Sequence, residues 1–404
     1  MRLWSKAVVT FVLLIAGYLL LGTVAYLPPD WRVAKHVQTS LDDGDLWEDY
    51  PQAIIPRGRY RMDNFTDALI VNQCIHLRSE GWKSILTVPR YDEGVYQCHN
   101  LRQAMAGNTD EGWIIHYSRY WHGSTFLTRL LLTFMSFMSI RYLLYLLSSA
   151  MLLWCFMRLW NHVDRTLALA VTFALLMVNV FVMQFSVQYI QVLLIAMGGM
   201  IWLSYHRQPT GTQVALLFLI LGSLTAFLDL LTVPILTLGL PLLVLVALPG
   251  RRDTLWSLVK ACLWWAGAYA LTWASKWGIA TLLTDIDVFT DASHEAMVWQ
   301  EDGGSFVGKA IKENFGHVRW IYVILAVVPL ITAACIHPRK GQWGKVAQYL
   351  FILVLPLLFF VAMAHHSSHH SPFTYRSLAI SIAALVMAVA TSVDWPRICK
   401  TKKI

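Results

Sequence analysis

The chain has 404 residues, of which 57% are hydrophobic and only 14% are charged. Soluble domains carry about 25% charged residues, so this composition excludes an ordinary soluble domain and indicates an integral membrane protein. The net charge of +8 does not indicate nucleic-acid binding, because the basic excess falls in short loops where anionic lipid headgroups would lie.

Apolar segments of about 17–25 residues, the length a helix needs to cross a bilayer, recur along the whole chain. They predict an all-α fold: a polytopic helical membrane protein with about ten transmembrane helices. Arg2 and Lys6 before the first segment also resemble a signal peptide, but no clear cleavage site follows, so we expect an uncleaved helix. The predicted segments are 8–26, 139–157, 166–183, 187–204, 214–228, 233–248, 256–282, 319–336, 347–364 and 374–392.

Every second loop carries Arg or Lys, and this pattern predicts a topology with both termini in the cytoplasm. The opposite loops carry Asp and His instead. We therefore expect a multi-pass membrane protein whose active site is extracytoplasmic. Besides Arg2 and Lys6, the predicted inner basic residues are Arg158, Arg165, Arg207, Arg251, Arg252, Arg339, Lys340, Lys345, Arg397, Lys400, Lys402 and Lys403.

Two connections are much longer than the others, and both are predicted to be extracytoplasmic. Residues 27–125 are expected to form a cap with interfacial helices, and residues 283–318 a second loop, on a single membrane domain spanning 1–404. Loops of this length are usually functional or structured. The aromatic residues expected at headgroup depth are Trp113, Tyr117, Tyr120, Trp121 and Phe126.

The six cysteines include no CxxC metal-binding pattern, and four of them, Cys155, Cys262, Cys335 and Cys399, are expected to be inert. Cys74 and Cys98 both fall in the predicted outer segment 27–125. An oxidising compartment would permit a disulfide between them. The sequence leaves a disulfide and two free thiols equally open.

Asp63 and Asp67 stand four residues apart in the segment MDNFTD, on one face if the segment is helical. One carboxylate could act as a general base while the other binds a cation or a sugar hydroxyl. The alternative is a helix N-cap at Asp63 or Asn64.

The segment YSRYWHG, residues 117–123, places a cation and an imidazole among aromatic rings. Tyr120, Trp121 and His122 suit a sugar or an isoprenoid chain, and Arg119 suits a phosphate. An interfacial anchor uses the same residue types.

Acids and bases at the ends of later segments complete the set of candidates. Asp229 is predicted to lie at the outer end of a helix, either in the site or as a solvated turn residue. Lys276 is predicted either to bind phosphate or to extend to the membrane interface. His366 and His370 have a weak zinc-like spacing, but Arg376 nearby favours contacts with a phosphate or a sugar. A solvated loop without a ligand is the third alternative. The candidate substrate-binding residues are Arg119, Tyr120, Trp121, His122, Asp229, Lys276, His366, His370, Tyr375 and Arg376.

Carboxylates, cations and aromatic rings predicted on one side of the membrane indicate group transfer from a lipid phosphate. The sequence contains no P-loop and no GxGxxG at a strand–helix junction, so we expect a lipid-linked donor and not a nucleotide sugar. A flippase or transporter of lipid-linked saccharide and a non-catalytic scaffold for envelope assembly remain alternatives.

The chain resembles the GT-C superfamily of polytopic glycosyltransferases, which share a first helix, a long acidic outer loop and a short-looped bundle. It is also similar to bacterial membrane proteins with the segments MDNFTD, YxRYWHG, FLDxxTxP, WASKW and FTYR. The first resemblance implies that Asp63 or Asp67 activates the acceptor, and that Arg119, Lys276 and Arg376 neutralise the donor phosphate.

The GT-C resemblance implies a polyprenyl-phosphate sugar as donor, a cell-envelope glycan or glycolipid as acceptor, and membrane lipid as a further partner. Together with the similarity to bacterial membrane proteins, it implies a bacterial plasma membrane as location. A requirement for Mg²⁺ or Mn²⁺ stays open. The sequence shows no C-terminal soluble domain of the kind expected for a peptide acceptor. Transfer with inversion and transfer with retention are both compatible with these residues.

Overall fold

The computed structural model describes residues 3–51, 62–300 and 303–395. It is 76% helix and 3% strand, so the all-α prediction is confirmed. The predicted basic residues Arg2, Arg397, Lys400, Lys402 and Lys403, and also Cys399, lie outside the described residues.

The helices fall into three groups along the chain. The first group is α1 Leu3–Tyr26, α2 Asp30–Asp42, α3 Asn64–His76, α4 Ser84–Thr87, α5 Gln97–Ala106 and α6 Gly123–Leu132. The second is α7 Phe137–His162, α8 Arg165–Met177, α9 Val180–Phe185, α10 Val187–Tyr205, α11 Gly211–Leu228, α12 Leu236–Ala247 and α13 Leu255–Leu283. The third is α14 Val288–Gln300, α15 Gly303–Gly316, α16 Trp320–Ile336, α17 Trp343–Ala362, α18 Ala364–His369, α19 Ser371–Thr374 and α20 Leu378–Thr391.

Each of the ten predicted apolar segments falls on one or more of these helices. Among the described residues, six helical segments are long and apolar enough to cross a membrane: α1, α7, α10, α11, α17 and residues 371–391. Residues 306–316 and 320–336 form a seventh if they count as one span, although they meet at a 78° bend. The chain therefore has the architecture of a multi-pass membrane protein, and the count of ten remains a prediction.

Two predicted segments are interrupted for local reasons. The segment 166–183 divides into α8 and α9 at Asn179, whose φ of 58° is left-handed, a conformation that asparagine tolerates better than most residues. The segment 233–248 contains only the 12-residue helix α12. The chain before it is irregular, and Leu231 there has a φ of 63°.

Residues 27–51 and 62–133 form a compact layer, here called the cap, at one end of the bundle. It contains helices α2–α6 and a two-stranded antiparallel sheet of β1 Pro89–Asp92 and β2 Trp113–His116. Its apolar core includes Val33, Val71 and Leu101 and continues into Ile140 of α7 and Val187 of α10. The cap is therefore packed directly onto the membrane helices.

Buried hydrogen bonds also join the cap to α13. Trp121 Nε1 donates to the Thr272 carbonyl at 2.6 Å, and Lys276 Nζ donates to the Leu86 carbonyl at 2.6 Å. These groups would be costly to bury without partners.

The expectation of an aromatic belt at headgroup depth is only partly met. Trp113 is 56% exposed, whereas Trp121 and Phe126 are almost fully buried. Both buried rings pack near Phe227 of α11. They hold the cap to the bundle, because their rings contact protein and not the surface.

Cys74 and Cys98 are both buried free thiols. Cys74 Sγ lies 3.4 Å from the Thr125 carbonyl, and Cys98 Sγ lies 3.7 Å from the Asn64 carbonyl. The structure thus has two separate thiols where the sequence left a disulfide open.

Candidate functional site

Asp63 is the N-cap of α3, and its carboxylate accepts a hydrogen bond from Thr66 N at 3.1 Å. The helix-cap alternative from the sequence therefore describes its local structure correctly. Its second oxygen, Oδ2, accepts from the Tyr189 hydroxyl at 3.4 Å. Burial, reinforced by the nearby Asp67, raises the pKa of Asp63 to about 7. A carboxyl group with such a pKa can exchange protons near neutral pH.

Asp67 has a different environment, in which the carboxylate is saturated with partners. Oδ2 forms an ion pair with Arg141 at 2.7 Å. Oδ1 accepts from Ser186 Oγ at 3.2 Å and from Val187 N at 3.0 Å. It therefore fixes the start of α10 against α7, as a structural carboxylate does.

Arg376 lies beside Asp63 through the ring of Tyr189. Its guanidinium carbon is 4.5 Å from the centroid of that ring, and its charge partly opposes the rise in the pKa of Asp63. Nη1 donates to the Pro372 carbonyl at 2.7 Å. Arg376 Nε is buried and has no hydrogen-bond partner among the described residues. Such a donor is unusual unless a ligand or water satisfies it.

The histidine-rich segment continues this cluster toward α11. The His366 and His370 rings are 4.6 Å apart, His370 stacks on Phe373 at 5.7 Å, and Phe373 lies 5.7 Å from Tyr189. His366 Nε2 is also 2.7 Å from the Leu231 carbonyl. The predicted site residues His366, His370 and Arg376 are therefore connected through the rings of Phe373 and Tyr189.

Tyr375 contacts Arg376, whose guanidinium carbon lies 4.9 Å from the Tyr375 ring centroid, but its hydroxyl has a structural environment. Its hydroxyl accepts from Asn179 Nδ2 at 2.9 Å and lies 3.3 Å from the Val178 carbonyl. It therefore stabilises the break between α8 and α9.

Asp229 ends α11 and organises the turn that follows. Both carboxylate oxygens are 3.1 Å from Thr232 N, and Thr232 Oγ1 donates to Oδ1 at 2.5 Å. Asp229 is 1% exposed, so the solvated-turn alternative does not describe it. Burial raises its pKa to about 7.

The aromatic segment 117–123 borders the same region. Tyr120 contacts the ring of Trp273 at 5.0 Å. His122 is buried in a left-handed conformation, with φ 56°, and Nε2 lies 2.7 Å from the Tyr117 carbonyl. Burial and the neighbouring Lys276 lower the pKa of His122 to about 3, so it is a neutral imidazole in the folded protein.

The remaining predicted cations are engaged within the protein. Arg119 forms an ion pair with Asp291 at 3.1 Å. Lys276 is fully buried, and its ammonium lies 5.6 Å from the Trp121 ring while donating to the Leu86 carbonyl. Of the three predicted phosphate-binding cations, Arg376 is the one whose charge acts on the Asp63 carboxylate.

The sequence reasoning missed Tyr189 and the aromatic pair Tyr269 and Trp273. The Tyr269 hydroxyl and Trp273 Nε1 are buried and have no hydrogen-bond partner in the described chain. Tyr189 follows three residues after Ser186 in a segment containing Gln184, Gln188 and Gln191. Polar residues repeated at the start of an apolar span are a signal that could have identified it.

An open cavity of about 610 Å³ lies on the cap beside Asp63, and none of the predicted site residues lines it. Its wall consists of Trp47, Glu48, Asp49, Tyr50, Val95, Tyr96, Cys98, His99 and Arg102. Volumes of about 300–1,000 Å³ are typical of small-molecule sites.

Within the described residues, no group of three or more His, Cys, Asp or Glu side chains could hold a metal ion. His366 and His370 therefore lack a third ligand of these types there. Comparisons with protein-family models, with curated proteins and with solved structures find no match to this chain.

Proposed function

We propose that this protein is an integral membrane glycosyltransferase of GT-C type. It would transfer one sugar from a polyprenyl-phosphate donor to a cell-envelope glycan or glycolipid on the cap side of a bacterial plasma membrane. In this proposal the cap side is extracytoplasmic and the chain crosses the membrane about ten times. The observation that carries the proposal is the contact of Asp63 with Tyr189, beside Arg376.

Asp63 is the better candidate for the base, because Asp67 already has three partners. With a pKa near 7, Asp63 can accept the proton of an acceptor hydroxyl at neutral pH. The acceptor oxygen then bonds to the anomeric carbon while the bond from that carbon to the phosphate oxygen breaks. The phosphate leaves with the electron pair of the broken bond.

Arg376 is the cation best placed for the leaving phosphate. Its Nε–H lacks a partner among the described residues, whereas Lys276 and Arg119 are engaged elsewhere. A guanidinium can bind phosphate oxygens through two parallel hydrogen bonds. The described residues contain no group of three or more His, Cys, Asp or Glu side chains that could hold a metal ion, so the proposed transfer gives no role to a divalent cation.

The test is sugar transfer by the purified full-length protein in detergent, offered a panel of polyprenyl-phosphate monosaccharides with glycan and glycolipid acceptors. We expect D63N to abolish transfer and Y189F to reduce it. D45N is the matched control, because Asp45 is a buried cap carboxyl outside the candidate site. Transfer by D63N at the wild-type rate would refute the assignment of the base.

A transporter of lipid-linked saccharide is the second candidate. The 78° bend between residues 306–316 and 320–336 favours it, because broken helices are common in transporters. Saturable donor binding without turnover, together with movement of the donor across proteoliposome membranes, would support the transporter instead.

A further inference from the structure

The open cavity of the cap is built around Trp47, whose ring is exposed but held in place. Trp47 is 59% exposed. Nε1 nevertheless donates to the Leu41 carbonyl at 2.9 Å. The Arg102 guanidinium lies 5.0 Å from the ring centroid and donates to the Trp47 carbonyl at 2.9 Å. An indole fixed in this way is a preorganised flat apolar surface.

The other walls combine aromatic and hydrogen-bonding groups. Tyr96 is 70% exposed, and Tyr50 stacks on Phe65 at 5.9 Å. Glu48 and Asp49 add carboxyl groups to the lining. Sugars bind proteins through this combination, because their C–H faces pack on aromatic rings and their hydroxyl groups need fixed donors and acceptors.

The charges of the lining favour an uncharged ligand over an anion. Two carboxyl groups, Glu48 and Asp49, stand against one guanidinium, Arg102, and that guanidinium already donates to two carbonyls. A phosphate would meet this excess of carboxyl groups. The cavity therefore does not suit the phosphate of a lipid-linked donor.

Hydrogen bonds join the cavity wall to the segment that carries Asp63. Met62 N donates to the Pro51 carbonyl at 2.9 Å, and Phe65 N donates to the Asp49 carbonyl at 3.0 Å. Asn64 Nδ2 donates to the Glu48 carbonyl at 2.9 Å. The residues on both sides of Asp63 are thus fixed to the wall, so a ligand in the cavity lies next to the start of α3.

From these contacts we infer that the cavity lined by Trp47, Tyr96 and Arg102 binds an uncharged saccharide chain, the acceptor of the transfer. The assignment of this saccharide as the acceptor rests on the proposed function, whereas saccharide binding rests on the cavity alone. An acceptor held here would lie next to the segment that carries Asp63.

The test is binding of uncharged oligosaccharides of glucose, galactose, mannose and arabinose to the full-length protein in detergent. Saturation-transfer NMR identifies the bound sugar, and titration gives its dissociation constant. We expect W47A to weaken binding about tenfold or more, since stacking and apolar contact are both lost. W47F retains a ring and should bind within about threefold of wild type, a difference of at most about 0.7 kcal/mol.

W82A is the matched control, because Trp82 is a similarly exposed cap tryptophan, at 53%, and does not line the cavity. Equal thermal unfolding of W47A and W82A establishes that the fold is intact. No binding by any oligosaccharide, or equal affinities for W47A and W82A, would overturn the inference.

Hydrolysis of the donor without acceptor separates this inference from the proposed function. We expect hydrolysis to be lost in D63N and unchanged in W82A, whose tryptophan does not line the cavity. If hydrolysis requires Asp63 but no saccharide binds, the proposed enzyme is supported and the acceptor site is rejected. If a saccharide binds through Trp47 but the donor is not turned over, the saccharide-binding cavity is supported and the glycosyltransferase is rejected.

Discussion

Arg141 of α7 and Asp67 of α3 form a buried ion pair, with 2.7 Å between Nη2 and Oδ2. The same guanidinium nitrogen donates to Asn64 Oδ1 at 2.5 Å. Because Asp67 also accepts from Val187 N at the start of α10, one carboxylate links the cap to two membrane helices. The position of Asp63, four residues earlier, depends on this link.

We expect D67A or R141A alone to lower the free energy of unfolding by about 3–5 kcal/mol, because each leaves a buried charge unpaired. The double variant D67L/R141M should lose less, since both charges are removed. Thermal unfolding in detergent, followed by tryptophan fluorescence, measures the difference. K83A removes the exposed pair of Lys83 and Asp285 and should have a much smaller effect; equal losses would contradict the prediction.

Sugar transfer should rise with pH through about 7 and then level off. Burial raises the pKa of Asp63 to about 7, and a general base must be deprotonated to act. The measurement is the pH dependence of kcat/KM, which reports groups of the free enzyme. A profile that stays flat from pH 5 to pH 9 in the wild type would remove Asp63 from this role.

The same pKa shift predicts how stability changes with pH. The folded pKa of Asp63 lies above the unfolded value of about 3.9, so folding favours the protonated carboxyl group. This stabilisation is complete below about pH 4 and is lost as pH rises to about 7. D63N, which cannot ionise, should therefore gain in unfolding temperature relative to wild type between pH 5 and pH 8; a constant difference would count against the shifted pKa.

We expect G222A to destabilise the contact of α11 with α13. A methyl group at Gly222 would collide with the Trp265 carbonyl, and helix backbones that approach closely in membranes require small residues. The expected loss is about 1–3 kcal/mol, measured by thermal unfolding. G267A in α13 is the control, because nothing lies within 4 Å of the added carbon; equal losses for the two variants would refute the packing argument.

Arg129 should not be replaceable by lysine. Its Nε donates to the Ala25 carbonyl at 2.8 Å, and Nη2 reaches both the Pro28 carbonyl and Asp30. Lysine cannot span these acceptors with one ammonium group. We expect R129K to lower the free energy of unfolding by about 2–4 kcal/mol. A loss no greater than that of R207K, at an exposed arginine, would contradict this prediction.

The helices were largely predictable, because about 20 apolar residues in a row leave few alternatives to a membrane helix. The breaks within the predicted helices could not be predicted, since they depend on partners distant in sequence. Asn179 is stabilised in its turn by the Tyr375 hydroxyl, and the irregular chain at Leu231 is in contact with His366. No local pattern around either break shows its partner.

The candidate site was predictable in its ionisable residues but not in their roles. Asp63 and Asp67 occupy the same short segment, yet tertiary contacts give one a hydroxyl partner and the other a guanidinium. The cavity around Trp47 could not be anticipated, because its walls come from two separate segments of the chain.

The bonds from α13 to the cap also set an order for biosynthesis. Lys276 is 190 residues beyond Leu86, and Thr272 is 151 residues beyond Trp121. While the ribosome is still making α11, the residues of the cap have been made but lack these partners. The Leu86 carbonyl and the Trp121 indole cannot form these two bonds until α13 has been made. The last step of cap folding therefore waits for a helix encoded far downstream.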